Sequence, residues 1–386
     1  MLEKALSGNR GYWLWVGALL AVMGAGAYCY MLQLQNGLSI TGLSRDVTWG
    51  FYIAQFTFLV GVAASAVMVV LPYYLHDFKV FGKITILGEF LAISAVVMCL
   101  MFIMVDLGQP GRSINMILHP SPNSILFWDM IVLNGYLLLN VTISRVSLVA
   151  ERNGQAPPSW IKPVILLSIP WAISIHTVTA FIYSGLAARP FWMTAVLAPR
   201  FLASAFASGP ALLILFCMIL RRFTKFDAGW EAVQKLAMIA TYAVLANIFF
   251  ILMELFTAFY SNIPEHLEHF QYLYWGLNGE TGLRNWMWAS SFLVLIAAFI
   301  MVTPKLRNSP GPLTWACILM IISIWIDKGM GMVVTGFVPS PLGKVTPYSP
   351  TLPEVLITLG IYATGALAVT VFYKITLSLR GQLKKA

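Results

Sequence analysis

The sequence predicts an all-α integral membrane protein with ten transmembrane helices, and three observations carry that prediction. The chain is 59% hydrophobic and only 10% charged, where a soluble domain carries about 25% charged residues. Apolar runs of about twenty residues recur along its whole length, each long enough to cross a bilayer as a helix. The charges gather at the ends of those runs. A net charge of +9 concentrated in one patch would suggest nucleic acid. Dispersed over helix ends and short loops, it is the pattern that orients a membrane protein, so the expected partner is the lipid bilayer and not nucleic acid.

Taken in order, the spans are placed at 12–34, 51–75, 84–105, 124–147, 163–187, 201–222, 236–260, 285–304, 313–336 and 354–376. The first follows Arg10 and is too long for a signal-peptide core, with no small-residue cleavage site after it, so it is read as a retained helix. The second opens at WGFYIAQFTFLVGVAASA, the third follows the basic stretch HDFKVFGK, and the fourth opens at FWD. The fifth runs from beyond Lys162 toward GLAARPFW, and the sixth lies between Arg200 and the pair Arg221–Arg222. The seventh follows Lys235, the eighth ends before Lys305, and the ninth and tenth enclose the Pro-rich segment VPSPLGKVTPYSPTLPE.

An even number of spans returns the chain to its starting side. That side carries seventeen Lys and Arg residues, Lys4, Lys384 and Lys385 among them, against Arg45, Arg112, Arg189, Arg200, Arg284 and Lys344 on the other. The bias predicts cytoplasmic termini in a cell inner membrane, and it places the longer, Pro-, Gly- and aromatic-rich loops outside. Those loops read as structured caps. None is large enough to be a soluble domain, so a catalytic domain would have to come from another chain.

Ionisable groups inside a span are costly and are functional candidates by default. They are Glu89, Asp129, His176, Glu254, Asp327 and Lys328. In the fourth span Asp129, Tyr136 and Asn140 share one helical face, and in the fifth His176, Tyr183 and Ser184 do the same. With Tyr52 and Gln55 near the outer end of the second span, these residues predict a pocket within spans two to five, open to the outer face. An amide, a carboxylate, an imidazole and phenols suit a quinone, whose head group takes hydrogen bonds at its oxygens and exchanges protons. Asp129 and His176 are the expected proton-handling pair; hydrogen bonding between helices is the plainer reading of both. Glu254 with Asp327 and Lys328 reads as a buried ion pair or a proton route. Glu89 reads as a proton entry or as a group solvated at the cytoplasmic interface.

The segment 105–130, VDLGQPGRSINMILHPSPNSILFWDM, is expected to form the rim of that pocket. Asp106 and Arg112 are expected to pair and fix the loop, with His119 and Arg189 beside them and the prolines stiffening it. Four cysteines fall singly in four apolar runs with no CxxC, which argues against a local metal or iron–sulfur motif and fits small buried hydrophobes. Of five histidines only His176 lies at membrane depth, whereas a bis-histidine haem needs two facing ligands. No haem, iron–sulfur cluster or metal site is expected in the chain itself.

The stretches WGFYIAQFTFLVGVAASA, VDLGQPGR, LHPSPNS, FWD and GLAARPFWMTAVLAPRFLASAFASGPALL resemble the NrfD/polysulfide reductase family of membrane subunits, over spans two to nine. The elements DLGxPxR, ARPxW and FLxSAxxSGxALL are specific in combination. Within the family the chain is most similar to the DsrP-type subunit of the sulfate-reduction complex DsrMKJOP and to the related subunit of Hmc-type complexes. The resemblance implies two four-helix bundles, residues 51–187 and 201–336, flanked by the first and last spans. It implies an exchangeable menaquinone in the first bundle near the outer face, and a periplasmic ferredoxin-like subunit whose [4Fe-4S] clusters carry the electrons. A DsrP-like chain would also sit beside a haem b membrane subunit, a multihaem cytochrome c and a cytoplasmic iron–sulfur subunit. Two other readings stay open: an ion- or proton-translocating subunit that uses Glu254, Asp327 and Lys328 without quinone chemistry, and a purely structural anchor.

Overall fold

The computed structural model describes Glu3 and residues 6–76 and 78–382; Lys4, Lys384 and Lys385 of the charge count lie outside the described residues. Among the described residues, ten helices are long and apolar enough to span a membrane. They are α1 (Arg10–Asn36), α2 (Phe51–Leu75), α3 (Thr85–Asp106), α4 (Ile125–Arg152), α5 (Ile161–Ser184), α6 (Leu197–Phe223), α7 (Trp230–Ser261), α8 (Arg284–Val302), α9 (Pro310–Thr335) and α10 (Leu352–Leu379). The ends of α1 and α10 meet on one face, where Lys374 bonds the carbonyl of Ser7 and Arg380 pairs with Glu151 at 2.5 Å. The opposite face carries the long connections and is called here the loop-rich face.

Helix neighbours follow chain order. α2 packs on α3, α3 on α4, α4 on α5, and α5 returns to α2; α6 packs on α7, α7 on α8, α8 on α9, and α9 returns to α6. The two sets meet where α2 and α5 lie against α6, and where α2 lies against α9. α10 packs on α1 and α3. Gly26 and Gly360 allow the first of these contacts, since a Cβ on Gly26 would lie 2.8 Å from the Gly360 Cα. The outward sides of the helices remain apolar, as at Leu14, Leu138, Phe249 and Phe299, because lipid satisfies them as well as protein does.

α2 is enclosed on every side, and it departs from the continuous helix that the sequence predicts. It is helical over Phe51–Ala63 and again over Val67–Leu75, with a break at Ala64–Ala66. A Cβ on Gly209 of α6 would stand 2.9 Å from the Ser65 amide, and one on Gly88 of α3 would stand 3.3 Å from the Ser65 carbonyl. Three backbones thus converge at the run of small residues Ala63–Ala66. The break tightens the turn into i→i+3 bonds from Ala64 to Gly61 and from Ser65 to Val62. It also frees the Ala63 carbonyl, which accepts a bond from the Tyr136 hydroxyl at 3.3 Å. α9 is irregular too: Trp325–Gly331 winds as a π-helix, a geometry that recurs at functional sites.

The loop-rich face is a folded cap. Lys344 pairs with Asp46 at 2.5 Å, and Thr346 donates to the same carboxylate; the lysine's hydrogen bond holds the Asp46 carboxyl below its usual range. Glu354, fully buried at the start of α10, accepts from the amides of Gly42 and Thr351 and from the Tyr348 hydroxyl. That hydroxyl in turn accepts from the amide of Phe51. One carboxylate therefore ties the 37–50 connection to α10 and fixes the entry of α2. A short helix, Pro264–Tyr274, lies in the cap, where His269 Nδ1 donates to the Val338 carbonyl at 3.0 Å.

Candidate functional site

Most of the predicted site residues fall into three places. The first is the α3–α4–α5 interior. Asp129 is buried, and its Oδ1 lies 2.8 Å from Thr179 Oγ1, which also lies 2.7 Å from the Ile175 carbonyl. A threonine hydroxyl has one hydrogen, so both contacts are met at once when Asp129 carries a proton and donates it. His176, one turn earlier on α5, is fully buried, and neither ring nitrogen has a partner. Tyr136 and Asn140 continue the α4 stripe, with Asn140 donating to the Tyr136 carbonyl at 2.8 Å. A turn further on, Ser144 donates to Glu89 at 3.0 Å. Glu89 is only 3% exposed, which corrects its expected place at a solvated interface: α3 presents it to α4, and the serine replaces water.

The second place is the seam between the two sets of helices. Tyr183 reaches Thr57 of α2 at 2.5 Å. Above it Trp49, Trp192 and Phe337 pack ring against ring, with Trp49 stacked 6.0 Å from Trp192 and Phe337 edge-on at 5.1 Å. Lys328 Nζ lies in this seam 4.3 Å from the centre of the Phe201 ring and 3.4 Å from the Phe201 carbonyl. Gly61 leaves room for it, since a Cβ there would approach Nζ to 3.3 Å.

Tyr52 and Gln55 do not join Asp129 and His176. Tyr52 donates to Gln33 of α1 at 2.7 Å. Gln55 Oε1 accepts from Trp325 of α9 at 2.7 Å and from Tyr362 of α10 at 2.8 Å. The reason is geometric: with α2 enclosed all round, residues three apart look toward α1, α9 and α10, while Thr57, two residues on, looks toward α5. The rim expectation is corrected as well. Asp106 has a buried Oδ1 without a partner, Arg112 and His119 are exposed, and among the described residues no ion pair joins Asp106 to Arg112. Arg189 instead lies 4.5 Å over the ring of Phe337, and burial lowers its pKa.

The third place holds a residue that sequence reasoning counts only as a loop charge. Arg200, in the first turn of α6, binds both oxygens of Asp327 at 2.8 Å and also pairs with Glu254. The buried ion pair expected of Glu254 with Asp327 and Lys328 takes another cation: both acids turn to Arg200, and Lys328 stays apart. Adjacent residues on a helix project in different directions, so Asp327 faces Arg200 and Lys328 faces α2. Pro199, which is tolerated in a first helical turn, is the signal that α6 starts early enough to bring Arg200 into the membrane. Beside this network α7, α8 and α9 leave a groove of about 340 Å³, lined among others by Asn247, Tyr274, Trp288, Ser290 and Asp327. Among the described residues no group of three or more His, Cys, Asp or Glu is placed to hold a metal ion.

Residues 39–328 match the family described as polysulphide reductase, NrfD. The chain is 26% identical, over 94% of its length and 89% of the relative's, to a provisionally assigned membrane subunit of the dimethyl sulfoxide reductase of Halobacterium salinarum. It is 25% identical to the Hdr-like menaquinol oxidoreductase integral membrane subunit of Archaeoglobus fulgidus, over 82% of this chain and 78% of that one. It is 22% identical to the menaquinone reductase integral membrane subunit of Nitratidesulfovibrio vulgaris, over 94% and 91%.

Proposed function

The chain belongs to the polysulphide reductase NrfD family, and from that premise we propose that it is the quinone-interacting membrane subunit of a respiratory oxidoreductase complex in the cell membrane. Two relatives carry menaquinol or menaquinone in their names, which supports menaquinone as its redox partner. Electrons would pass between that quinone and an iron–sulfur subunit docked on the loop-rich face, and the charge bias supports reading that face as the periplasmic one. The two rings of neighbouring helices are read as four-helix bundles over 51–187 and 201–336, with the head-group site in the first. A link to sulfate or sulfite reduction of the DsrMKJOP kind is the finer form of this reading and rests on the sequence motifs.

One observation carries the site: His176 is fully buried with two unmet ring nitrogens, one helical turn from a threonine that shares its hydroxyl with Asp129. Buried polar atoms without partners are rare and call for an occupant. These residues fit a quinone, which when bound supplies two-electron, two-proton chemistry. His176 can hold an oxygen of the head group. Asp129 can hold a proton on Oδ1 and pass it while Thr179 keeps its bond to Ile175. The seam aromatics Trp49, Trp192 and Phe337 exclude water from this region on the loop-rich side.

The test is oxidation of a reduced menaquinone analogue by the purified complex, with cluster content as the measure of assembly. Asp129→Asn keeps a bond to Thr179 and is expected to assemble normally while slowing turnover at least tenfold, in the range of a lost proton-transfer group. His176→Ala is expected to raise the KM for the analogue. Normal turnover in both variants would remove the site from these helices. Loss confined to Glu254→Gln would favour the second reading, ion or proton translocation through the Arg200 network.

A further inference from the structure

The groove between α7 and α8 is not part of that site. It opens toward lipid, since Leu252, Phe259, Trp288 and Leu295 in its walls are exposed. Its far side is polar. Ser290 and Ser323 serve each other there, each hydroxyl donating to the other's carbonyl at 2.9 and 2.8 Å. Both oxygens of Asp327 are taken by Arg200. The remaining group is Asn247, on the same face of α7 as Glu254. It is 1% exposed, and its side-chain oxygen is buried without a partner. An orphaned acceptor at the back of a lipid-facing slot is an unusual arrangement in a medium that offers no water.

The chemistry of the walls narrows the occupant. Trp288 is fixed by its Nε1 bond to the Tyr274 carbonyl at 2.8 Å, and the two rings meet nearly at right angles, 5.5 Å apart. That corner offers an aromatic face to a flat ring. Leu252, Leu255 and Leu295 offer only apolar contact. An acyl chain would satisfy the leucines and leave Asn247 unmet. A soluble metabolite would satisfy Asn247 and has no use for a slot open to lipid. A flat ring with a hydroxyl group and a long apolar tail meets both demands, and the volume lies at the lower end of the roughly 300–1,000 Å³ range of small-molecule pockets.

We propose that this groove is a second lipid-accessible site that takes a prenylated hydroquinone, with the ring hydroxyl donating to Asn247 and the tail lying along Leu252 and Leu295. The proposal rests on the reading of the chain as a quinone-interacting subunit, and it places a hydroquinone in the second set of helices, apart from Asp129 and His176.

The experiment is photolabelling of the purified complex with the reduced, hydroquinone form of an azido-naphthoquinone bearing a short prenyl tail, followed by peptide mapping. Label is expected on segments 247–259 and 286–295 as well as in the first set of helices. Asn247→Leu removes the acceptor, and Leu252→Trp fills the slot from the lipid side without touching a buried polar group. Both are expected to cut groove labelling about tenfold, the effect of losing one well-made bond or an equivalent volume. Asp129→Asn is expected to leave it unchanged. Label confined to 125–184 would overturn the groove and leave the quinone reading standing, whereas a chain that takes no label would overturn both. Groove labelling unaffected by either variant would show partition of the probe into lipid and overturn the site. So would native mass spectra in which Leu252→Trp releases a phospholipid while probe labelling stays the same.

Discussion

The two sets of helices bury acidic groups in opposite ways. In α2–α5 the two acids inside the spans each meet a single hydroxyl: Asp129 meets Thr179, and Glu89 meets Ser144. In α6–α9 two acids, Glu254 and Asp327, converge on one guanidinium. An acid held by a neutral hydroxyl can gain or lose a proton without stranding a charge beside it. An acid held by an arginine shares the fate of its partner, because removing either leaves an uncompensated charge in a medium of low polarity. The first arrangement suits proton exchange with a bound molecule, and the second suits a fixed joint between α6, α7 and α9. The lipid-facing groove lies beside the rigid joint, so its shape is held by an ion-pair network.

The largest expected effect breaks that joint. Arg200→Met would leave Glu254 and Asp327 buried without a cation, and truncation of one member of a buried ion pair costs about 3–5 kcal/mol. A marked fall in the melting temperature of the detergent-solubilised protein is expected, with part of it restored when Glu254→Gln and Asp327→Asn are added. An unchanged melting temperature would mean that the network is solvated and that the contrast between the two sets is false.

A second test compares the cap with the membrane interior. Glu354 accepts four hydrogen bonds from two connections, and Glu354→Ala strands the amides of Gly42 and Thr351 and the hydroxyl of Tyr348 together. The expected loss is about 2–4 kcal/mol, from several charge-assisted bonds partly replaced by water. Faster proteolysis in 37–50 and 340–351 would report it. Glu354→Gln keeps an acceptor and is expected to lose about half as much.

The spans are legible because length and hydropathy decide them locally, and all ten lie where the apolar runs predict. What the runs do not encode is which face of an enclosed helix meets which neighbour. Tyr52 and Gln55 belong to the Asp129 pocket only if α2 has one inner face. The helix is surrounded, and those side chains serve α1, α9 and α10 instead. Arg200 is hidden by a four-residue error in the start of α6, enough to turn a buried cation into a loop charge. Lys328 stays out of the Glu254–Asp327 cluster for a reason available from the sequence, since neighbours on a helix point apart. The π-helix at Trp325–Gly331 has no local signal, because it answers to the packing of α9 on α2.

The smallest expected effect concerns pH, and it separates the cap from the buried acids beneath it. His269 lies between the Val338 carbonyl and the ring of Phe191, 5.5 Å away. Burial pushes its pKa down to about 4, from an ordinary value of about 6.5. The unfolded or opened cap therefore binds a proton more readily than the closed one, and stability contributed by neutral His269 is complete above about pH 6.5 and declines as the pH falls toward 4. By pH 5.5 the cap is expected to be weaker than at pH 7.5 by about 1 kcal/mol. Protection of the 264–274 amides, measured as exchange rates corrected for the intrinsic pH dependence of the exchange chemistry, is expected to fall several-fold over that interval, while amides of α3 and α4 keep theirs. His269→Gln, which keeps a donor for Val338 and cannot titrate, is expected to abolish the pH dependence. A loss of protection as large in the variant would assign the effect to another group and leave His269 a plain packing residue.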